Sequence, residues 1–464
     1  MKTTLTASLA GFTRDLRYED IPVQGIERAR TAIIDCIGCI LAGSVEPPAR
    51  IVSSWISREG GQPRATLIGQ GYRSSASAAA LANGTAGHAQ DYDDVSPPMI
   101  GHPSVPLVPA LLAAAEVANA SGAQVIAAYV IGLDVAARLG RLMNPEHYAY
   151  GWHATSTLGA LAAAAGSARL LNLTDEQTRY ALGIAASGAG GLRKNFGSMV
   201  KPLHAGQAAQ RGLAAAFLAA GGFDADPDIL DGQHGFLDVF RGQATLARDA
   251  SSIRFALDQP LEIVESGVGI KQYACCGCVH TALDVVRALM SQNGFTAADV
   301  QEVECGVNKL APEVLIHHDA QTGLQGKFSM EYSVAVALLD GKAGPQQFED
   351  EHVQRDDVRD LQRRIHMKVD RDLPVRHGLF PAKITIRLRS GAQLHGEAHK
   401  AIGMHPSLPL ADEEIDAKFR ACAAYALDTG DAETVLKSLR VLERLPDLKA
   451  LMSLLLGKGA RDES

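Results

Sequence analysis

Single polar residues placed beside Gly, Pro or other small residues are the part of this sequence that is able to do chemistry. His102 lies in GHPS, and His153 follows Tyr148 and Tyr150 in HYAYGWHATSTLG. The other groups of this kind are Arg193 with Lys194, Lys201 with His204, Lys271 with His280, and Lys327 with Tyr332. Loops and helix ends present such side chains to a cleft. A group that titrates near pH 7 beside fixed positive charge favours proton transfer through an enolate-like intermediate.

Lys201 stands out among the lysines because Pro202 follows it. Proline is favoured in the first turn of a helix, so the pair predicts that a helix begins here. An anion near that helix start would be stabilised by unpaired backbone N–H groups. The sequence therefore predicts an anionic ligand near Lys201.

The stretch DYDDVSPPMIGHPS, residues 91–104, can be compared with known ion and phosphate sites. A calcium loop that begins at Asp91 would need Gly where Ser96 stands and Glu where His102 stands. Neither a Walker-type phosphate loop nor a GxGxxG turn occurs in the chain, so nucleotide cofactors are unsupported. His88 and Asp91 could share a helical face as metal ligands, but two ligands at this spacing are common by chance. We interpret Asp93 and Asp94 as capping residues of a helix end or loop.

Two other metal sites are conceivable. Cys36 with Cys39, and Cys275 with Cys278, have the CxxC spacing of zinc ligands, but the first pair lies in an apolar helical pattern where thiols pack as small apolar residues. The pair His317 and Asp319 has the HxD spacing of an iron-dependent oxygenase but lies outside any clear β-barrel pattern. We expect neither metal nor organic cofactor.

Length and charge exclude several classes of protein. The chain has 464 residues, 47% of them hydrophobic, which predicts at least two domains with sizeable cores. Its formal net charge is -8 and no basic block is present, so we expect no nucleic-acid partner. No signal peptide or stretch of ~18 apolar residues is seen, which predicts a cytoplasmic protein that does not bind membranes, with its seven cysteines reduced.

The hydrophobic period indicates the elements that must position the polar groups. Helical spacing dominates as far as about residue 260, and alternation then predicts strands in VQEVECGVNKL, RRIHMKVD and KITIRLRS, the last forming a hairpin with AQLHGEA. Helical spacing returns after about residue 400. The sequence thus predicts a mainly α protein, with a large all-helical domain over 1–262 and 400–464 and a smaller α+β lid domain over 263–399.

Five ordered blocks give the chain a resemblance to a known family. The blocks GHAQDYDD with GHPS, GWHATSTLGALAAAA, KNFGSMVKPLHAGQAA, KQYACCGCVH and KFSMEYSVAVALLDG resemble the MmgE/PrpD family, which includes 2-methylcitrate dehydratase, cis-aconitate decarboxylase and iminodisuccinate epimerase. The resemblance covers nearly the whole chain. It implies a helical domain with an α+β lid, a homodimer, and chemistry on a small polycarboxylate without metal or organic cofactor.

The resemblance also implies a set of site residues. The positions that match the family's active-site blocks are Asp91, His102, His153, Lys201, Lys271 and Tyr332. We expect His153 or His102 to transfer the proton, with Tyr148 or Tyr332 as a second donor and Asp91 orienting a histidine. Lys201, Lys271 and Arg193 would hold substrate carboxylates. His204, Cys276 and His280 complete the predicted substrate-binding set, with Cys275, Cys276 and Cys278 shaping a pocket wall.

Two departures leave the reaction open. Cys276 stands where decarboxylase-like members commonly have His, and Asp91-Tyr92-Asp93-Asp94 differs from the Asp-Phe-Asn-Asp typical of methylcitrate dehydratases. The main hypothesis is a lyase of the dehydratase or decarboxylase type. The alternatives are an iminodisuccinate-type epimerase that uses the same site, which DYDDVSPPMIGHPS and HYAYGWHATSTLG resemble locally, and a non-catalytic binding protein on the same fold.

Overall fold

The computed structural model describes residues 3–241, 255–375 and 379–458. Their backbone forms two compact units. The first comprises the described residues of Met1–Ala89, Asp93–Val268 and Ala411–Ser464, and the second those of Gln90–Tyr92 and Gly269–Leu410. The sequence predicted boundaries at 262/263 and 399/400, and it did not separate Gln90–Tyr92 from the residues around them.

The first unit is a helical assembly, as the sequence predicted. Its helices are α1 (Leu5–Asp15), α2 (Val23–Gly43), α3 (Pro47–Glu59), α4 (Ala76–His88), α5 (Ser104–Ala118), α6 (Gly122–Met143), α7 (Glu146–Ala149), α8 (Ala154–Leu170), α9 (Asp175–Ser187), α10 (Val200–Ala220), α11 (Phe236–Arg241) and α12 (Glu262–Glu265), and, from the C-terminal part of the chain, α18 (Asp412–Ala423), α19 (Thr429–Arg440) and α20 (Lys449–Leu455). A short ladder pairs β1 (Ala65–Thr66) with β2 (Arg73–Ser74).

Local signals explain where several of these helices begin. The Thr174 side chain accepts a hydrogen bond from the Gln177 N–H, and the Gln177 side chain accepts one from the Thr174 N–H, which forms a capping box at the start of α9. The same arrangement of Ser121 and Gln124 starts α6. These caps satisfy N–H groups that would otherwise lack partners at a helix start.

Small residues let the central helices of the first unit approach closely. Helix α10 packs against α4 and α8. A Cβ added at Gly206 of α10 would lie 2.3 Å from the Leu81 carbonyl oxygen of α4, and one added at Gly84 of α4 would lie 2.7 Å from the Gly206 Cα. Both distances are well inside van der Waals contact, so glycine is required at this crossing. The crossing matters because α4 and α10 carry histidines described below.

The second unit combines helices with a four-stranded sheet. Its strands are β3 (Val300–Val307), β4 (Ile365–Val369), β5 (Ala382–Leu388) and β6 (Gln393–Ala398), and its helices are α13 (Gly277–Asn293), α14 (Gly323–Gly326), α15 (Met330–Asp340), α16 (Asp350–Val353) and α17 (Asp356–Gln362). The strand order is β4-β3-β5-β6, with β3 and β4 parallel and the other pairs antiparallel.

The period-2 pattern of these strands determines which face is covered. Val303, Cys305 and Val307 are buried on β3, while Glu302 and Glu304 alternate with them. Helices α13 and α15 pack on the sheet. Glu304 pairs with Lys368 of β4 in the exposed row, which is expected for a sheet with one solvated face. The predicted strands and the β5–β6 hairpin are therefore confirmed.

No single helix among the described residues is both long and apolar enough to cross a membrane. The bent pair of α2 and α3, with 81° between the helices, meets the length and composition criteria only when the two are taken together. Within the first unit α2 is buried almost continuously from Ala32 to Gly43.

The cysteines are buried thiols. Cys36 and Cys39 lie inside α2, where burial raises the pKa of both well above its usual value. Within 3–241, 255–375 and 379–458, no cysteine joins a group of three or more potential metal ligands. The helical packing role predicted for Cys36 and Cys39 is thus the one observed.

Candidate active site

A buried carboxylate lies between two imidazoles in the first unit. His88, the last residue of α4, has its Nδ1 2.9 Å and 3.0 Å from the two carboxylate oxygens of Asp93. The Nδ1 of His102 lies 2.9 Å from Asp93 Oδ2. The side chains of Asp93 and His88 are 0% exposed and that of His102 is 13% exposed. Asp93 therefore makes a hydrogen bond with Nδ1 of His88 and a close contact with Nδ1 of His102 that lacks the alignment of a hydrogen bond.

Two further histidines extend this group. The ring of His88 lies edge to face with that of His102, at 4.5 Å between centroids, and stacks on that of His153 at 5.9 Å. The Nδ1 of His153 is 3.1 Å from the Nδ1 of His204. We call His88, His102, His153 and His204, together with Asp93, the histidine cluster.

Helix ends and two paired loops position the cluster. His153 is the residue before α8, and its N–H donates to the Gly191 carbonyl oxygen at 3.0 Å. The N–H of Arg193 donates to the Gly151 carbonyl oxygen at 2.9 Å. These two hydrogen bonds hold the loop before α8 against the loop that leads to α10. Since α10 carries His204, the pairing of the loops places His153 beside it.

Lys201 joins the cluster through an aromatic ring. Phe196 lies edge to face with His153 at 4.9 Å, and Lys201 Nζ is 5.5 Å from the centre of the Phe196 ring. Lys201 is only 5% exposed. Its positive charge is one of the influences that lower the pKa of His88, His153 and His204. A cation and four imidazoles are therefore collected within one unit.

The start of α10 differs from the prediction of unpaired N–H groups. The Val200 N–H donates to Ser198 Oγ at 3.3 Å, and the Lys201 N–H donates to the Ser198 carbonyl oxygen at 3.1 Å. Pro202 has no N–H, and the Leu203 N–H donates to the Met199 carbonyl oxygen. A turn centred on Ser198 satisfies these donors, so any attraction for an anion here comes from the Lys201 ammonium.

Burial sets the charge of the histidines. It lowers the pKa of His88 and of His204 to about 4 and that of His153 well below its ordinary value. Burial alone would raise the pKa of Asp93, but the histidines on both sides hold it well below its usual range. The resulting arrangement is an ionised carboxylate near the imidazoles of His88, His153 and His204, which are kept neutral at pH 7.

Tyr148 and Arg193 contact each other. The guanidinium carbon of Arg193 lies 3.7 Å from the centre of the Tyr148 ring, and Arg193 Nη1 donates to the Tyr148 carbonyl oxygen at 2.7 Å. Arg193 also lies 5.9 Å from the centre of the Phe196 ring. The two residues thus support the loop pairing beside His153, and both are only partly buried.

The second unit contains a buried ion pair formed by two predicted site residues. Lys271 is 0% exposed; its Nζ donates to the Asp91 carbonyl oxygen at 2.6 Å and lies 3.2 Å from Asp91 Oδ2. Asp91 adopts a φ of 52°, a left-handed conformation that Asp tolerates. The sequence assigned Asp91 to orient a histidine. In the structure Asp91 pairs with Lys271, and it is Asp93 that contacts His88 and His102.

The remaining predicted residues of the second unit lie near the start of α13 and on α15. The N–H of Cys276 donates to the Lys327 carbonyl oxygen at 2.9 Å, and Lys327 Nζ donates to the Gln90 carbonyl oxygen at 2.6 Å. His280 Nε2 is 3.2 Å from the Cys275 carbonyl oxygen. Cys276, Lys327 and His280 are all buried within this unit.

Tyr332 has a different environment from the one its predicted role requires. Its hydroxyl donates to the Gln347 carbonyl oxygen, and its ring packs against Phe348 at 5.6 Å. The residue is 0% exposed. Because the hydroxyl of Tyr332 is hydrogen-bonded to a backbone carbonyl and the residue is buried, its environment suits packing and not proton donation.

Sequence reasoning did not identify the role of His88 or Asp93. It considered His88 only as a metal ligand with Asp91, and it interpreted Asp93 and Asp94 alike as caps. Asp94 is a cap, since its carboxylate accepts hydrogen bonds from the Ser104 N–H and hydroxyl at the start of α5. Asp93 is not, because its carboxylate binds two histidines. The spacing of His88, Asp93 and His102 contained no periodic signal that could have shown this.

The cluster also has to be considered as a metal site. The ligand atoms of His88, His102 and Asp93 lie within 4.8 Å of one another, which is close enough for a divalent ion. If the Nδ1 of His88 bound a metal, its Nε2 would carry a buried N–H, and that nitrogen has no hydrogen-bond partner among the described residues. A buried donor without an acceptor is costly, and a metal-bound histidine usually donates its second N–H. For His88 the geometry therefore fits a hydrogen bond to Asp93 better than a bond to a metal.

The second metal hypothesis concerned His317 and Asp319. Asp319 is 75% exposed in its side chain and lies 3.4 Å from Arg359, and the His317 N–H donates to the Phe328 carbonyl oxygen. Within the described part of the chain the pair belongs to no group of three or more potential ligands. These contacts do not favour an iron site.

Two protein-family models and several known proteins match this chain over most of its length. The model of the MmgE/PrpD N-terminal domain matches residues 7–249, and that of the MmgE/PrpD C-terminal domain matches residues 273–444. A cis-aconitate decarboxylase from Aspergillus terreus is 28% identical, over 98% of this chain and 96% of the relative. The cis-aconitate decarboxylase of Homo sapiens is 27% identical, over 98% and 95%, and that of Mus musculus is 28% identical, over 100% and 96%.

Proposed function

Because the chain belongs to the MmgE/PrpD family, with both domain models matched, we propose that it is a lyase acting on a small di- or tricarboxylate. The substrate we propose first is cis-aconitate, and the reaction is the loss of carbon dioxide. The relatives named above support this choice of substrate. The observation that carries the proposal is the histidine cluster, because it places proton-transferring groups beside the cation of Lys201.

The chemistry of a decarboxylation fits these groups. The bond between carbon and the departing carboxylate breaks, and its electron pair stays on the remaining carbon framework. Lys201 lowers the energy of that negative charge, since a fixed cation in a water-poor site needs no reorganisation. A histidine of the cluster then gives a proton to the carbon, which forms a C–H bond as carbon dioxide leaves. In a loss of water a neutral histidine would take a proton from the carbon next to a carboxylate. The C–O bond on the neighbouring carbon would break as the C=C bond forms, and the leaving hydroxide would take up a proton to become water.

Three of the predicted residues have supporting contacts in the first unit. His102 and His153 are the candidates for proton transfer, and Lys201 is the candidate for binding a carboxylate. The site residues that lie in the second unit remain predictions: Asp91, Lys271, Cys276, His280 and Tyr332. A homodimer and a cytoplasmic location likewise stay predictions.

The test uses the purified chain and cis-aconitate in deuterated water. We expect release of carbon dioxide and a product with one carboxyl group fewer that carries one deuterium on carbon. Loss of water from a hydroxylated tricarboxylate would support the dehydratase form of the proposal. Deuterium exchange into an unchanged substrate would support the epimerase alternative, which the Cys276 departure keeps open. Absence of all three with a panel of di- and tricarboxylates would contradict the proposal and favour a binding protein.

Variants connect that activity to the cluster. Lys201→Ala and His153→Ala should each reduce turnover by about 10²- to 10⁴-fold, the usual loss when a general acid or an electrostatic group is removed. Lys194→Ala is the matched control, because Lys194 is an exposed lysine in the loop that leads to α10. Circular dichroism should show unchanged helix content in all three. Near-normal activity of both site variants would refute this site.

A further inference from the structure

We propose that Asp93 is a positioning residue that makes Nε2 of His102 the atom exchanging a proton with the substrate. It would do so by accepting the Nδ1–H of His88 and by lying so close to Nδ1 of His102 that this nitrogen also keeps its proton, which fixes the tautomer of each ring. The inference rests on the proposed function for the identity of the substrate. The tautomers themselves are a property of the protein alone.

The geometry determines where the ring protons lie. An ionised carboxylate can only accept hydrogen bonds, so a neutral imidazole whose Nδ1 is 2.9 Å from it must carry its proton on Nδ1. For His88 this contact is a hydrogen bond. For His102 the 2.9 Å contact lacks the alignment of a hydrogen bond. A lone pair on Nδ1 so close to a carboxylate oxygen would still be repelled, so the neutral His102 ring also carries its proton on Nδ1. The lone pair of each neutral ring is therefore on Nε2. For His88 this agrees with a buried Nε2 that has no hydrogen-bond partner among the described residues, since an acceptor without a donor costs less than a donor without an acceptor.

Exposure distinguishes the two rings. The side chain of His88 is 0% exposed and that of His102 is 13% exposed. The backbone N–H of His102 donates to Thr155 Oγ1 at 3.0 Å, which fixes the residue at the start of α8. A ring that is held at its backbone and at Nδ1, and still reaches solvent, can present Nε2 to a ligand. His88 fills the space behind it, between His102 and His153.

The His153–His204 pair shows what Asp93 adds. Two neutral imidazoles that face each other through Nδ1 share one proton, so one ring donates and the other accepts. Neither ring has a carboxylate contact in this hydrogen bond. Only an imidazolium on His88 or His102 is next to the Asp93 charge, and a neighbouring anion favours the protonated ring.

The proton step is the same for each reaction of a lyase of this kind. In a decarboxylation the Nε2–H bond of a His102 imidazolium breaks, its proton bonds to the substrate carbon that holds the electron pair left by carbon dioxide, and the ring returns to the neutral Nδ1–H form. When a proton is removed from carbon, the neutral ring accepts it on Nε2 and Asp93 stabilises the resulting imidazolium. In both directions Nδ1 keeps its proton.

The decisive measurement is nuclear magnetic resonance of the full chain with ¹⁵N-labelled histidine rings, assigned with His88→Gln and His102→Gln. Two-bond ¹H–¹⁵N correlations report which nitrogen carries the proton. We expect the Nδ1–H tautomer for His88, and for His102 at any pH at which its ring is neutral. An Nε2–H tautomer for His102 would overturn the proposal, whatever the substrate proves to be and whether or not any variant folds.

Kinetics then separate positioning from simple support. Asp93→Asn should turn His102 to a mixture of tautomers and lower kcat by about 10²- to 10⁴-fold with little change in KM. The control is Asp94→Asn, at the neighbouring buried aspartate that caps α5. Asp94 contacts Ser104, so this variant changes a neighbouring buried aspartate and leaves the Asp93 contact with His88 in place. Wild-type kcat and unchanged tautomers in Asp93→Asn would also overturn the proposal. A wild-type protein inactive on every substrate, with the expected tautomers, would reject the proposed function alone.

Discussion

At the scale of single residues, two aspartates two positions apart have acquired different chemistry. Asp91 is paired with the ammonium of Lys271 in the second unit, and Asp93 lies between the imidazoles of His88 and His102 in the first. A carboxylate next to ammonium cancels a permanent charge. A carboxylate next to imidazoles instead supports a charge that appears only when a ring is protonated. The first arrangement suits structure and binding, and the second suits proton transfer.

The buried ion pair leads to a prediction about stability. Lys271→Ala should lower the free energy of unfolding by about 3–5 kcal/mol, because it leaves the buried carboxylate of Asp91 without its cation. Urea denaturation followed by circular dichroism measures the change. The double variant Asp91→Asn with Lys271→Met should recover part of the loss, since no unpaired charge remains. Equal stability of the single variant and the wild type would show that the pair does not hold this unit together.

The hydrogen bond between His153 and His204 gives a prediction about activity. His204→Leu removes the hydrogen-bond partner of His153 Nδ1. We expect kcat to fall by about threefold to tenfold, because one hydrogen bond contributes about 0.5–1.5 kcal/mol. His204→Asn keeps a polar group at this position and should retain more activity. Steady-state kinetics on the identified substrate would measure both variants. Equal activity of the two would mean that this bond does not orient His153.

At the scale of elements, the crossing of α4 and α10 controls the cluster. His88 ends α4, and His204 and Lys201 lie in the first turns of α10, so the separation of the two helices determines the positions of three site residues. The close approach depends on Gly84 and Gly206. The glycines that allow this close packing therefore also position the site residues.

A substitution at this crossing tests that link. Gly206→Ala should lower the free energy of unfolding by about 1–3 kcal/mol, the cost of overpacking, and should reduce activity as well because α4 and α10 are forced apart. Thermal denaturation and kinetics measure the two effects. The control is Gly11→Ala in α1, where an added Cβ meets nothing within 4 Å and should stabilise by about 0.5–1 kcal/mol. Full activity in Gly206→Ala would disprove the dependence of the site on this crossing.

At the scale of the whole molecule, buried neutral histidines make stability depend on pH. His147, outside the cluster, has a pKa lowered to about 4 by burial, and its two ring nitrogens lie 2.8 Å from the Phe240 carbonyl oxygen and 2.7 Å from Thr157 Oγ1. His88 and His204 also have a pKa of about 4. Between this value and the ordinary 6.5 the unfolded chain binds protons that the folded chain does not. The stabilisation is therefore complete above pH 6.5 and is lost as the pH falls towards 4.

We expect the free energy of unfolding to fall when the pH is lowered from 7.5 to 5, by on the order of 2 kcal/mol for one such histidine. Urea denaturation at the two pH values gives the difference. In His147→Gln the difference should be smaller than in the wild type, because one buried titratable group has been removed. If the free energy of unfolding of His147→Gln falls by the same amount as that of the wild type, or by more, the folded protein does not lower the pKa of His147.

Fold and site were not equally predictable from the sequence. The helices of the first unit and the strands of the second followed from patterns that repeat every two or about four residues, and such patterns record which face is buried. The family and the polar residues worth considering also came from short blocks of sequence. His102, His153 and Lys201 were named in this way before any geometry was known.

The tertiary structure decided which of these residues meet. Whether Asp91 or Asp93 binds a histidine depends on the course of an irregular loop between α4 and α5, and no periodic pattern encodes it. The His153–His204 contact depends on two loops held together by backbone hydrogen bonds, and the position of His88 depends on how closely two glycines let α4 and α10 approach. The sequence by itself determined the elements, the family and the kinds of side chain available, since these follow from local patterning. The tertiary structure alone assigned the carboxylate to its imidazoles, because that contact joins residues whose spacing along the chain has no physical period.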